Sequence, residues 1–318
     1  MLDIGPIHFE VAEADSGRPL RELVQRAISN RADAALLIAR GGLWVGKTRV
    51  VDGDTLAMAG AHVTIHTPPG GAYHDIALDP AWIVYEDDDL LALDKPAGVY
   101  TGMTPWDIAD NIQVALERFL IERDGATPQL HAAHRLDCGT SGVLLFSKNP
   151  AVNGKLQRVF AETKARKTYV CLCAGMPEAD EWLVETGHGR TINGHFHAYP
   201  LEHVGQMLLN GSVVKHMLTR FVVVERYDTA TLLRAFPQTG RTHQIRLHAA
   251  HSGHPLVGDV KYGGPATWRG MPTSHHHLHA ARLELSHPRT SEPLAIEAPL
   301  PEWGSVENKD QRSENKWQ

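Results

Sequence analysis

At 318 residues the chain has room for two domains of roughly 150 residues each, and its 42% hydrophobic and 21% charged residues match a soluble globular protein. That composition excludes a disordered chain, a fibrous rod and a disulfide-stapled miniprotein. A net charge of −6 also excludes a uniformly basic nucleic-acid coat, but leaves room for a local basic groove, because net charge governs solubility rather than a site.

Residues 1–17 carry acids without a hydrophobic pattern and are expected to form an extended arm. They lack the basic start and apolar run of a secretory signal. From Pro19 the apolar positions Leu20, Leu23, Val24, Ala27 and Ile28 recur at helical spacing, and a second short helix fits Ala34 to Ile38. Gly41-Gly42 ends it, and residues 43–66 read as short strands punctuated by Gly46, Gly53 and Gly60. Between Arg18 and Arg49 seven basic residues face two acids, Glu22 and Asp33. That local excess points to an anionic partner, with a solvated helix face as the plain alternative.

Residues 67–81, with Pro68-Pro69-Gly70-Gly71, are expected to be a linker. Residues 82–303 then mix strands (WIVYE, LLALDK, GVLLFSK, KTYVCLCAG, RFVVVERY, ATLLRAF) with helices near 106–123 and 151–164. Several strands adjoin without intervening helices, so an α+β fold with a mixed, largely antiparallel sheet is expected rather than a doubly wound one. Residues 304–318 are polar and are expected to be a mobile tail. Three cysteines, Cys138, Cys171 and Cys173, make no disulfide framework. With no run of 18 apolar residues, the expectation is a cytoplasmic protein with no membrane contact.

Two segments concentrate chemistry. In the first, His134-Arg135-Leu136-Asp137 leads through Gly139-Thr140-Ser141-Gly142 into an apolar strand. A loop fixed by a strand is a common seat for catalytic groups, and a partly buried Asp137 would need a cationic partner. In the second, Thr239-Gly240 makes a turn, Thr242 reads as an N-cap, and a helix runs to about His251. Arg241 then stands at a helix N-terminus suited to a phosphate or to a carboxylate such as Asp137. Capping turns and a structural ion pair are the plain alternatives. Twenty histidines, including His131/His134, His248/His251 and His275 to His277, invite a metal, but no H-E-x-x-H or completing carboxylate accompanies them. Phosphate-cradling and serine-hydrolase motifs are absent too.

The segment HRLDCGTSGVLLFSK (134–148) resembles the signature of RluA-type pseudouridine synthases. LALDKPAGV (91–99), KTYVCLCAG (167–175), TGRTHQIRLHAAHSGHPLVGDVKYGG (239–264) and LHAARLELSHP (278–288) resemble further blocks of that family, in its order. GGLWVGKTRVVDGDTLAMAGAHVTI (41–65) is similar to the end of an alpha-L RNA-binding module, which would span 18–66. The resemblance implies a pseudouridine synthase fold and isomerisation of uridine within RNA, needing neither metal nor cofactor. It makes Asp137 the catalytic carboxylate, Tyr169 the residue packed on the target base and able to assist proton removal, and Arg241 the partner of Asp137. Arg135 would fill the gap left by the extruded uridine, and Lys167, Ile245 and His134 would contact substrate.

The chemistry is consistent with such roles. A uridine inside folded RNA must leave its stack, at a cost of a few kcal/mol, before a side chain reaches it. Ribosomal RNA is the favoured partner over transfer RNA, and a monomer the default. A non-catalytic RNA-binding or assembly factor on the same fold, and a metal-dependent RNA hydrolase, are the other classes.

Overall fold

The computed structural model describes residues 5–29 and 33–305. They fall into two compact units, one of residues 1–78 with 100–128, the other of 79–99 with 129–318. Most of the segment expected as a mobile tail lies outside the described residues.

In the first unit, β1 (Ile7–Glu10), β2 (Leu43–Val45), β3 (Thr48–Val50) and β4 (His62–Ile65) form an antiparallel sheet in the order β1-β4-β2-β3. The expected arm is therefore partly a strand: Ile7 and Phe9 pack on the core while their neighbours alternate outward, so pairing with β4 outweighs the acidity of the segment. Helix α1 (Leu20–Ile28) buries Leu20, Leu23, Val24 and Ile28, and α2 (Ala34–Ala39) buries Leu37 and Ile38 on the same core. Each such side chain contributes roughly 1.5–3 kcal/mol.

Residues 67–78 of the stretch expected as a linker belong to this unit. Arg40 bonds Asp75 at 2.7 Å and the His74 carbonyl, and also grips Asp107, which is 2% exposed. Helix α3 (Ile112–Asp124) starts later than its apolar pattern suggests. Asn111 caps it by accepting from Val114 N–H at 3.1 Å, while the Asp107 carboxylate accepts from Ala109 and Asp110 N–H in the turn before it.

The second unit is built on an eleven-stranded sheet. Its strands are β5 (Ile83–Glu86), β6 (Leu90–Lys95), β7 (His131–Ala132), β8 (Ser141–Ser147), β9 (Arg166–Ala174), β10 (Glu181–Arg190), β11 (Phe196–Tyr199), β12 (Lys215–Arg226) and β13 (Ala230–Pro237), joined later in the chain by β16 (Leu278–Ser286) and β17 (Pro293–Glu297). A separate ribbon joins β14 (Thr267–Trp268) to β15 (Met271–Pro272). The order along the sheet is β11-β10-β12-β13-β9-β16-β8-β6-β5, with β17 on β16 and β7 on β8. Every pairing is antiparallel except β16 with β8, so the sheet is mixed and largely antiparallel, an α+β architecture.

Central β9 is apolar on both faces. Cys171 and Cys173 pack with Phe221, Leu233 and Ile245 on one side, and Val170 and Leu172 with Val257 and Ala281 on the other. Burial on both faces accounts for its unbroken apolar run. Helix α4 (Pro150–Ala161) covers β6 and β8 through Val152 and Leu156, and ends where Thr163 turns to φ 56°. Helix α5 (Gln244–His251) covers β9 and β13 through Ile245 and Ala249.

Candidate active site

The segment from His134 to Gly142 enters β8, and its path is set by close packing on β16. Gly142 lies opposite Ala280 where the two strands run parallel. Its φ is +105°, and a Cβ there would lie 2.3 Å from the Ala280 carbonyl oxygen, so only glycine fits. Thr140 bonds His276 Nε2 and Ser141 bonds His279 Nδ1, each at 2.8 Å. From the other side the wholly buried Lys95 donates to the carbonyls of Pro96 and Val99 at 2.8 Å and of Cys138 at 3.2 Å. Its ammonium thus ties the turn after β6 to the residue that follows Asp137, and burial pulls its pKa down to about 8.

Asp137 opens onto a cavity of about 270 Å³, just below the roughly 300–1,000 Å³ range of small-molecule sites. All seven residues singled out from sequence line it: His134, Arg135, Asp137, Lys167, Tyr169, Arg241 and Ile245. Tyr169 and Lys167 come from β9, Ile245 from α5, and Arg241 from the turn after β13. Arg135 is exposed at the rim, whereas Ile245 is 5% exposed.

The expected pair of Asp137 with Arg241 is replaced by another. Arg246 Nη1 donates to Asp137 Oδ2 at 3.1 Å, while its Nε and Nη2 fork onto Asp259 at 2.7 and 2.8 Å. Arg241 instead donates from Nε to the His216 carbonyl at 3.1 Å. Arg246, in the first turn of α5, faces Asp137, and Arg241 stays in the preceding loop. Thr242 is not the cap either. His243 holds that position with φ 58° and ψ 20°, and the Gln244 side chain accepts from Arg241 N–H at 3.0 Å and from the Thr239 hydroxyl at 2.6 Å.

Burial sets the protonation states around the cavity. The His134 imidazole is pushed down to about 4 by desolvation, so it is neutral. Its Nε2 accepts from Leu145 N–H at 3.2 Å, which leaves the ring proton on Nδ1. The ring stacks on Phe160 at 5.1 Å. Burial, with the Asp137 charge, raises the Tyr169 phenol well above its ordinary value. Tyr169 is thus a neutral ring with a hydroxyl, a poor candidate for a phenolate base. Lys167 donates to the Thr239 carbonyl at 3.3 Å, and burial and Arg241 lower its pKa. Burial opposes the Arg246 charge, but its bonds to Asp259 and the charges of Asp259 and Asp137 raise its pKa.

Arg246, Asp259, His243 and Tyr262 were not singled out from sequence. Each lies in the 239–264 block. Of the histidines noted as possible ligands, His134 accepts from Leu145 N–H, His276 bonds Thr140, and His248 lies between the hydroxyls of Thr186 and Thr219. Among the described residues no three His, Cys, Asp or Glu side chains are grouped to hold a metal ion.

Residues 89–251 match the family model of RNA pseudouridylate synthase. The chain belongs to that family. It is an RNA pseudouridine synthase, an isomerase that acts on RNA. A rice relative (Oryza sativa subsp. japonica), RNA pseudouridine synthase 1, is 37% identical over 267 residues, 72% of this chain and 75% of that one. Ribosomal large subunit pseudouridine synthase C of Vibrio vulnificus is 34% identical over 284 residues, covering 84% of this synthase and 83% of that one. Among solved structures, human RNA pseudouridylate synthase domain containing 1 superposes with a TM-score of 0.54 at 28% identity, over 69% of this synthase and 83% of that chain. No helix among the described residues is long and apolar enough to cross a membrane.

Proposed function

We propose that this synthase isomerises uridines of large-subunit ribosomal RNA, with Asp137 as the catalytic carboxylate. The observation that carries the assignment of Asp137 is its position: a carboxylate on a loop braced from both sides, facing a cavity, with Arg246 on one of its oxygens. Ribosomal RNA is favoured by the likeness to the Vibrio enzyme, which extends over 84% of this chain.

The reaction breaks the bond between the sugar C1′ and uracil N1, joins C1′ to C5, removes the proton from C5 and adds one to N1. Atoms balance without a co-reactant, so the protein must supply extrusion, orientation and proton handling. A carboxylate can act covalently at the sugar or the base, or accept a proton. The neutral ring of Tyr169 offers a face for the uracil, with Ile245 lining the same pocket. Arg135, charged and exposed at the rim, can take the place of the extruded base, while Lys167 and Arg241 supply positive charge beside the incoming phosphates.

The test is tritium release from carbon-5-labelled uridine in unmodified large-subunit ribosomal RNA and in transfer RNA, with wild type and Asp137→Ala. Release from ribosomal RNA by wild type alone is expected. Release confined to transfer RNA would overturn the substrate reading, and turnover by Asp137→Ala would overturn the role of that residue.

A further inference from the structure

We propose that His243, locked in one tautomer by Tyr262, is a positioning residue that holds the reacting carboxylate of Asp137. The inference rests on the reading of Asp137 given above and deepens it.

His243 stands at the mouth of α5 in the left-handed region, φ 58° and ψ 20°, where a residue other than glycine is uncommon. It makes no capping bond with its side chain, so capping does not account for the strain. Such strain gathers where the surrounding structure needs one side chain in one place. The ring is clamped edge-on by Phe196, with centroids 5.4 Å apart, and by Tyr262 at 5.7 Å. Its Nδ1 lies 2.7 Å from the Tyr262 hydroxyl, and its Nε2 lies 3.7 Å from Asp137 Oδ2.

The tautomer follows from these contacts. The Tyr262 hydroxyl is pushed up to about 12 by burial and keeps its proton, and burial takes His243 down to about 4, so the ring is neutral. A neutral imidazole carries one N–H. Were it on Nδ1, the Nε2 lone pair would face a carboxylate oxygen. With Tyr262 donating to Nδ1, the proton sits on Nε2 and points at Asp137. The 3.7 Å separation is longer than a hydrogen bond, a spacing of the kind that tightens when substrate fills a site. Arg246 and His243 both address Oδ2. Oδ1 is therefore the oxygen left for chemistry, and the two donors fix where it lies.

Isosteric amides separate this role from a structural one. The glutamine amide places an N–H near the position of Nε2, while asparagine places one near Nδ1 and also suits the left-handed backbone. His243→Gln is expected to keep kcat within about 10-fold. His243→Asn is expected to lose roughly 10²-fold in kcat, the order of loss a misplaced reacting group causes, with KM for RNA and thermal midpoint little changed. Full turnover by His243→Asn, or a loss confined to KM, would overturn the proposal. If Gln and Asn variants fall equally, Tyr262→Phe decides: a fall in its kcat supports the lock, and wild-type kcat refutes it. Asp137→Ala runs alongside. If it is silent while His243→Asn turns over normally, this inference alone fails; if Asp137→Ala is active, the parent reading fails with it.

Discussion

Arg246 and Asp259 form a two-bond fork in the interior of the synthase, 7% and 2% exposed, with Nε and Nη2 at 2.7 and 2.8 Å from the two carboxylate oxygens. The fork fixes the plane of the guanidinium, and the remaining nitrogen then reaches Asp137. Removing one partner of a buried pair leaves an uncompensated charge and costs about 3–5 kcal/mol. Arg246→Leu is therefore expected to lower the denaturant midpoint severely. Arg246→Lys keeps the charge but cannot fork, so it should fold with a smaller loss and still fall roughly 10²-fold in tritium release. A lysine variant with wild-type kcat would show that the guanidinium geometry is irrelevant to Asp137.

The glycines of the second unit permit a paired test of backbone packing. At Gly142 a Cβ would strike the Ala280 carbonyl, whereas at Gly154, inside α4, it would meet nothing within 4 Å. Gly154→Ala is expected to raise stability by about 0.5–1 kcal/mol, the helical preference for alanine over glycine. Gly142→Ala should separate β8 from β16 and lose activity together with stability. Equal midpoints for the two variants in urea would contradict the parallel register at this point.

How much of this could be read from the sequence depended on the range of the interactions. Helix α1 and strands β6, β8, β9 and β13 follow from local periodicity and from apolar runs. Asp137 and Arg241 lie in two segments whose residue types already imply chemistry, whereas Lys167, Tyr169 and Ile245 were singled out only through the family resemblance. The partner of Asp137 was misassigned because the pair spans 109 positions and has no local signature: Arg246, inside α5, reaches the carboxylate, while Arg241, in the loop before it, bonds the His216 carbonyl. The unit to which residues 100–128 belong was hidden for a similar reason. It is tied by bonds between distant positions, among them Arg40 to Asp107, Trp44 to the Pro105 carbonyl and Arg49 to the Thr104 carbonyl, and no composition window can see them.

The basic excess of residues 18–49 is smaller in space than in sequence. Arg26 pairs with Asp15 at 2.7 Å, Arg18 lies 3.7 Å from Asp15 and 3.6 Å from Glu22, and Arg21 pairs with Asp54. These arginine side chains are about half exposed, and pairs of this kind are worth about 0–1 kcal/mol, so a phosphate could displace each acid. If this face binds RNA, replacing Arg18, Arg21 and Arg26 by glutamine should flatten the plot of log affinity against log salt by roughly one for each phosphate no longer neutralised. An unchanged slope would assign these arginines to their acids alone. Point substitution is the cleaner route, because deleting residues 1–66 would also strip Arg40 from the buried Asp107 and destabilise the rest of that unit.

The final expectation concerns acid. Burial takes the folded-state values of His134, His243 and His279 down to about 4 and those of His248 and His276 to about 3, all from 6.5. Between pH 6.5 and 4 the unfolded chain binds protons that the folded chain excludes, so stability falls as pH falls through that window. Above about pH 7 both states are neutral at these sites, and the contribution is complete and constant. Each histidine adds a slope of up to about 1.4 kcal/mol per pH unit. Urea midpoints should therefore drop from about pH 6.5 to 4.5, with an uptake of more than one proton on unfolding near pH 5. His248→Asn, which can still meet the Thr219 hydroxyl, should reduce that uptake by about one. A flat midpoint down to about pH 4.5 would mean that these rings are already protonated in the folded synthase, and the tautomer assignments of His134 and His243 would fall with it.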